Sequence, residues 1–294
     1  MEEPRERVAG MTAVVVLYRL RPAQSPTIAT LARSYQLLRQ DRLKLELFIY
    51  DNSPQSQPLD VRLPFAHRYV HDPLNGGLAA AYNLALYSDP QDPERWLLLL
   101  DQDTALPEDF LEQSLKALEK IGPDQQVAAA VPRIFQEGRP ISPAIITTGR
   151  VSPVKEIGEG IAREGLTAIN SGVLVRKNFL REIKGFNPKF KLDYLDHWLF
   201  SEIGRIGKSV YVTGAVVKHD LSVSHIESRV SKDRYLSILD SETLFYRDYA
   251  GGGNFACHLM VLALRSLGHL VRGRWGFFLM TVKHWFGVLA GLKR

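Results

Sequence analysis

The chain has one cysteine, Cys257, in 294 residues. No intramolecular disulfide can form, a cysteine-rich zinc module is excluded, and the usage fits a reducing compartment. Long hydrophobic runs are also missing. A bilayer-spanning helix needs ~20 predominantly apolar residues. The two apolar runs near the C-terminus, 259–264 and 275–282, are cut short by Arg265 and by Lys283 and His284. The N-terminal MEEPRERVAG carries charges of both signs and no apolar h-region, so no secretory signal is expected. There is no internal repeat and no low-complexity linker. Acid is absent from the last stretch: residues 249–294 hold six Lys or Arg and no Asp or Glu, whereas residues 1–248 hold 31 basic against 32 acidic groups. The net charge of +5 therefore belongs to the tail. A nucleic-acid binder more often carries a basic stripe on its folded body, so no nucleic-acid partner is expected.

What is present supports a sizeable core. Hydrophobic residues make up 45% and charged residues 23%, the balance of a globular protein. TAVVVLY (12–18), LKLELFIY (43–50), HRYVHD (67–72), WLLLL (96–100) and VAAAVPRIF (127–135) read as strands. Between them lie helical patterns. SPTIATLARSYQLLRQ has Ser25 as N-cap, Pro26 at the first position and Ile28, Leu31, Tyr35 and Leu38 on one face. GLAAAYNLALY (77–87) is entered through Asn75-Gly76-Gly77, and PEDFLEQSLKALEK starts at Pro107. Strand and helix alternate as in a mostly parallel central sheet flanked by helices, an α/β fold. Further on, strands are expected at 168–177 and 209–222 and helices at 178–183, 192–207 and 232–248. We expect a flexible tail over 1–10, one domain over 11–250 and a basic amphipathic helical tail over 251–294.

The segment WLLLLDQDTALPEDF drives four leucines into Asp101 and Asp103. In open parallel sheets ligands bind beyond the carboxyl ends of the strands. The two acids stand where a buried strand surfaces, and Asp51 stands at the same edge. Two carboxylates in D-x-D spacing suit a hard divalent cation, Mn²⁺ or Mg²⁺, that also takes phosphate oxygens.

The stretches VVVLYR, IYDNS, NGGLAAAYNLAL, LLLLDQDT, INSGVLVRK, GFNPKFKLDYLDHWL and HDLS occur in this order. Together they resemble the inverting family 2 glycosyltransferases of GT-A fold, and among them the rhamnosyltransferase-like bacterial group, over about residues 12–222. The resemblance implies a nucleotide-sugar donor, thymidine- or uridine-diphosphate linked, and a cell-surface polysaccharide or lipid-linked glycan as acceptor. It places the donor nucleotide on Asp51, Asn75, Gly77, Asn83 and Asp101, and a metal on Asp101, Asp103 and His219. Asp196 falls on the catalytic base, with Asp193 a rival three residues away. Asn170, Ser171, Gly172, Asp193 and Trp198 fall on the acceptor or donor-sugar wall. In place of the family's further acid after the base stand His197 and Trp198. The chemistry agrees: inverting transfer needs one carboxylate to take the acceptor proton and a separate acidic cluster for the departing diphosphate.

Two alternatives remain. A haloacid-dehalogenase-type phosphatase shares the apolar strand followed by D-x-D, but has Thr or Val where Ala105 stands and carries the motif on its first strand. A non-catalytic nucleotide-sugar-binding protein could keep the same fold. The tail, in which basic residues and tryptophans mix with apolar ones, suggests peripheral membrane contact through 255–294, with the protein cytoplasmic at the inner face of the cell membrane, or else helices packed on protein.

Overall fold

The computed structural model describes residues 9–39, 42–88, 96–162, 165–218 and 231–291. The chain divides into two compact units, residues 1–144 with 153–220 and residues 145–152 with 221–294.

The first unit is built on a nine-stranded sheet. Its strands are β1 (Ala9–Leu17), β2 (Leu43–Asp51), β3 (Ala66–His71), β4 (Trp96–Leu100), β5 (Val127–Gln136) and β6 (Arg139–Ser142), followed after a gap by β9 (Gly160–Ile161), β11 (Val173–Arg176) and β12 (Ser209–Lys218). The order is β3-β2-β1-β4-β11-β5-β12-β9, with β6 paired to β5. β3, β2, β1 and β4 run parallel, as do β5 and β12; β11 is antiparallel to both its neighbours. Helices α1 (Pro26–Leu37), α2 (Gly77–Tyr87), α3 (Phe110–Ile121), α4 (Lys177–Glu182) and α5 (Leu195–Arg205) flank it.

Burial on both faces explains the unbroken apolar strands. Met11, Ala13, Val15 and Leu17 join Leu98 and Leu100 in one core with Ile28 and Leu31 of α1 and Phe110, Leu111 and Leu115 of α3. Val14, Leu97 and Leu99 are equally buried. Each such Leu or Val contributes about 1.5–3 kcal/mol on leaving water.

Some boundaries differ from the pattern in the sequence. The helix after β4 begins at Phe110, because Pro107 to Asp109 form a turn closed by Phe110 N donating to Pro107 O at 3.1 Å. The strand expected over 168–177 is only Val173–Arg176. β12 is described to Lys218, so the expected positions 219–222, His219 among them, lie outside the described residues.

The second unit holds most of a hairpin, β7 (Ala144–Thr147) and β8 (Arg150–Pro153), and three helices, α6 (Lys232–Asp248), α7 (Gly252–Val271) and α8 (Trp275–Leu289). β10 (Leu166–Thr167) is a short strand of the first unit. The boundary expected near 250 moves, because α6 packs with the tail. Tyr235 and Leu239 of α6 cluster with Leu262 of α7, and Phe277, Met280 and Trp285 of α8 close over them. α7 also runs unbroken through Arg265, which the sequence pattern treats as an interruption. The Arg265 guanidinium makes a two-pronged ion pair with Glu242 of α6 at 2.7 and 2.9 Å, so the charge is neutralised inside the bundle. By length and composition alone α7 is long and apolar enough to cross a membrane.

Candidate functional site

The Asp-Gln-Asp turn is held by one face of α1. Ser25 caps the helix, accepting from Ile28 N, and its hydroxyl donates to Gln102 O at 2.6 Å. Thr27 Oγ1 donates to Asp101 O at 2.6 Å and accepts from Thr104 N at 2.8 Å. Thr30 Oγ1 accepts from Leu106 N at 3.1 Å and Ser34 Oγ from Leu111 N at 3.1 Å. Gln102 Oε1 accepts from Tyr18 N at 2.8 Å, which ties the turn to the end of β1. A bridge between Ala105 and Lys218 ties it to the end of β12. Backbone groups that leave β4 without ladder partners are thereby satisfied. This hydroxyl stripe is absent from the sequence-based expectation, which followed only the apolar face of α1. The signal was the Ser25, Thr27, Thr30, Ser34 spacing.

Asp101 meets a second element. Its Oδ2 accepts a short hydrogen bond from Ser171 Oγ. Ser171 arrives there because Gly172 adopts φ +90 and turns the chain into β11, with Gly172 N donating to Leu99 O at 2.9 Å. A Cβ at Gly172 would sit 3.0 Å from the Phe110 ring. Ser171 therefore joins the Asp101 side of the site, with Asn170 next to it in the chain. Asp103 is exposed and Asp101 half-buried. Among the described residues no group of three His, Cys, Asp or Glu could hold a metal. Two hard carboxylates on one turn still suit Mg²⁺ or Mn²⁺, which are usually bound by one or two carboxylates with phosphate oxygens and water filling the shell. They do not suit zinc, which favours a complete set of protein N and S ligands.

Asp196 sits in the first turn of α5, half-buried, where the helix dipole favours a negative charge. Its Oδ1 accepts from His197 N at 2.8 Å. His197 is itself fixed, with Nδ1 2.7 Å from Thr167 Oγ1. Asp193 lies on the other side of Tyr194, whose φ of +64 starts the helix.

The segment leading to Asp196 is clamped by α2. Both ends of the Asn83 amide engage Phe186: Nδ2 donates to Phe186 O at 2.9 Å and Oδ1 accepts from Phe186 N at 2.7 Å. Leu78 N donates to Lys191 O at 2.7 Å. Gly77, at φ +83, permits that approach, since a Cβ there would lie 2.2 Å from Lys191 O. The resemblance assigned Gly77 and Asn83 to the nucleotide; their observed partners are the backbone of residues 186–191. Trp198, assigned to the sugar wall, is buried and packs its ring 6.4 Å from that of Phe186. With so little surface exposed it belongs to the core and offers no open stacking face.

Tyr82 of α2 lies within the field of both acidic centres. It is fully buried, and its hydroxyl has no hydrogen-bond partner among the described residues. Burial pushes its pKa well above the ordinary value, and the negative charges of Asp101 and Asp196 push it further. Both acids are thus in electrostatic reach of one buried hydroxyl. Nothing in the sequence pattern singled out Tyr82.

Asp51, at the end of β2, is fully buried. Its Oδ1 accepts from Ser53 N at 2.9 Å; Oδ2 accepts from Gln57 N at 2.9 Å and Tyr69 Oη at 2.5 Å. Burial alone raises its pKa, but the bonds from Ser53, Tyr69 and Gln57 outweigh this and hold it below the usual value. Asp51 organises the 52–57 loop. Asp72, unmarked in the sequence, shapes the neighbouring turn by accepting from Leu74 N, Gly76 N and Tyr50 Oη. The Tyr50 pKa is pushed up to about 12, by burial first and then by Asp72. Asn75 stands exposed in that turn at φ +51. Asn52 Oδ1, Thr104 Oγ1 and Asn170 Oδ1 are buried without partners among the described residues, as is the Tyr82 hydroxyl. Unpaired buried polar atoms cost about 1–3 kcal/mol each. Asn52 and Thr104 directly follow the candidate acids Asp51 and Asp103 in sequence, and Asn170 precedes Ser171, the partner of Asp101.

The architecture has known counterparts. The chain matches the profile described as glycosyl transferase family 2 over residues 26–184, more than half its length. No curated protein sequence matches it. Among solved structures, Staphylococcus aureus TarS superposes with a TM-score of 0.51 at 14% identity, covering 88% of this chain and 43% of TarS. The chain thus spans under half the length of that relative. A complex of TarS 1–349 with UDP-GlcNAc gives 0.52 at 13% identity, covering 85% of this chain and 71% of the other. At such identity the likeness speaks for the fold. The chain belongs to glycosyl transferase family 2 and has the GT-A fold.

Proposed function

We propose that the chain is an inverting glycosyltransferase. It moves a sugar from a nucleoside-diphosphate donor to a hydroxyl of a cell-surface polysaccharide or lipid-linked glycan. Rhamnose from a thymidine-diphosphate donor is the first candidate, on the resemblance noted above, and uridine-diphosphate hexoses are the next. The observation that carries this reading is a pair of acidic centres on a family 2 scaffold: the Asp101–Asp103 turn after β4, braced by Ser171, and Asp196 in the first turn of α5 with Oδ1 engaged and Oδ2 left for a proton.

In this reading Asp196 is the general base. With Oδ1 engaged by His197 N, Oδ2 takes the proton as the acceptor oxygen bonds to the anomeric carbon. The bond from that carbon to the phosphate oxygen breaks, and the nucleoside diphosphate leaves with the electron pair. One displacement inverts the anomeric centre. Asp101 and Asp103 would hold the divalent cation, which when bound neutralises charge on the leaving group. Ser171 and the α1 hydroxyls keep Asp101 in place, and the Asn83 clamp keeps the segment before Asp196 in place. Asp51 and Asp72 shape the loops against which the base lies. The phosphatase alternative is not favoured, since the D-x-D follows the fourth strand of the chain and the family is a transferase family.

The test is a panel of nucleotide sugars, each with Mn²⁺ or Mg²⁺, read by thermal shift and by donor hydrolysis. A ligand that binds only the native state raises the melting point with its affinity. One donor should stabilise the chain in the presence of the cation, and Asp103→Asn should abolish the cation's share. Stabilisation by nucleotide that ignores both cation and Asp103 would refute the metal assignment. A product with retained anomeric configuration would refute the displacement.

A further inference from the structure

The second unit is apolar where a water-soluble bundle is polar. On α7, Met260, Leu264, Leu267 and Val271 follow one another at steps of four, three and four, so they form a single stripe. All are more than half exposed, Val271 reaching 80%. On α8, Trp275, Leu279 and Phe286 are each more than half exposed, and Lys283 lies on the same line of residues, where its long stem can carry the charge out to the headgroups. The polar groups of α7 face inward. Arg265 pairs with Glu242, His258 is fully buried with Nε2 3.2 Å from Thr243 Oγ1, and His269 Nε2 lies 3.0 Å from Tyr235 Oη. The turn between the helices reads Val271-Arg272-Gly273-Arg274-Trp275. Its Arg272, together with Lys283 on α8, is exposed.

We infer that the α7–α8 hairpin docks in the plane of an anionic lipid surface, its exposed apolar stripes in the acyl boundary and its basic residues at the headgroups. Continuous exposed apolar surface of this kind marks an interaction site, and charge selects the occupant. Residues 249–294 contain no acid. A second copy would bring one basic face against another, whereas anionic headgroups complement it. A spanning arrangement fits less well. α7 is apolar along one stripe, and Arg265 and His258 are engaged by neighbouring helices, which is the pattern of a helix lying in the interface. The inference stands on the second unit alone and does not depend on the proposed chemistry.

The experiment is flotation of the full chain with phosphatidylcholine vesicles and with vesicles of equal parts phosphatidylcholine and phosphatidylglycerol. The chain should float with the anionic vesicles only and be released by alkaline carbonate. Arg272→Gln with Lys283→Gln should weaken partitioning by about tenfold or more, at about 1 kcal/mol per basic residue. Leu264→Glu with Leu267→Glu should abolish it. Both pairs are exposed, so circular dichroism should be unchanged; if the glutamate pair misfolds, the glutamine pair still decides. Equal recovery in the soluble fraction with both vesicle types would overturn the inference. So would resistance to carbonate, which indicates spanning, or a dimer in solution dissolved by the glutamate pair, which indicates self-association.

Discussion

The two units solve opposite problems with the same residue types. The first buries its leucines and valines in the sheet and brings carboxylates to the strand ends, where hydroxyls from α1 and the amide of Asn83 set their position. The second buries Glu242, Thr243, His258, Thr281 and His284 among its helices and leaves Leu264, Val271 and Trp275 outside. In the first, carboxylates gather at the ends of buried strands. In the second, polar residues in the interior specify how three helices pack, and leucine, valine and tryptophan side chains stay on the outer face. Substitutions can break that contrast at either end.

The largest effect is expected at Asp196. If this acid takes the acceptor proton, Asp196→Asn should lower kcat by about 10³-fold, within the range for a general base, while nucleotide affinity stays the same. A loss of nucleotide binding with it would make Asp196 part of the donor site. Full transfer in the variant would move the base to Asp193 or remove catalysis from this turn.

A pH effect should follow in the second unit. His258 is held neutral: burial lowers its pKa from 6.5 to about 4, with Arg265 and His284 adding to the depression and Glu242 opposing it. Between those values the unfolded chain binds a proton that the folded chain refuses. Stability should therefore fall as pH drops from about 6.5 toward 4, by about 3 kcal/mol in full. Thermal melts across this range check it, and His258→Gln should flatten the dependence. An unchanged slope in the variant would place the titration elsewhere.

Thr27 sharpens the other side. Thr27→Val keeps the shape and removes the hydroxyl that pairs Thr104 N and Asp101 O. About 2 kcal/mol of stability should be lost, the cost of buried groups left unpaired, and donor affinity should fall with it as Asp101 loosens. Denaturant unfolding and thermal shift with donor measure the two effects separately.

Much of this was readable before any coordinates. The β-branched and leucine runs marked the strands, Ser25-Pro26 marked the start of α1, and an apolar run ending in acid placed Asp51 and Asp101 at the carboxyl ends of β2 and β4. What escaped was non-local. Ser171 reaches Asp101 across 70 residues only because β11 inserts antiparallel beside β4. Asn83 meets Phe186 across 103 residues through backbone atoms, which no side-chain pattern encodes. Arg265 broke the apolar period of α7 because its partner, Glu242, lies 23 residues away on another helix. A helical pattern reports which face is apolar; it does not report that hydroxyls on the remaining face hold a neighbouring loop, nor that a lone charge is paired.

Tyr82 gives the smallest effect and the finest discrimination, because it is a polar group of the first unit sealed inside as those of the second are. In the second unit Thr243 is paired with His258 and His284. The Tyr82 hydroxyl has none among the described residues. If the group served the fold, Tyr82→Phe would cost stability. If ligand binding opens the packing over the hydroxyl and gives it a partner, removing the unsatisfied group should leave the stability of the free protein unchanged or raise it by about 1 kcal/mol. Transfer should then drop by roughly five- to tenfold, the worth of one neutral hydrogen bond in the reacting complex. Melting temperature and kcat/KM must move in opposite directions or the melting temperature must stay still. A destabilised but fully active variant would make Tyr82 a packing residue with no part in transfer.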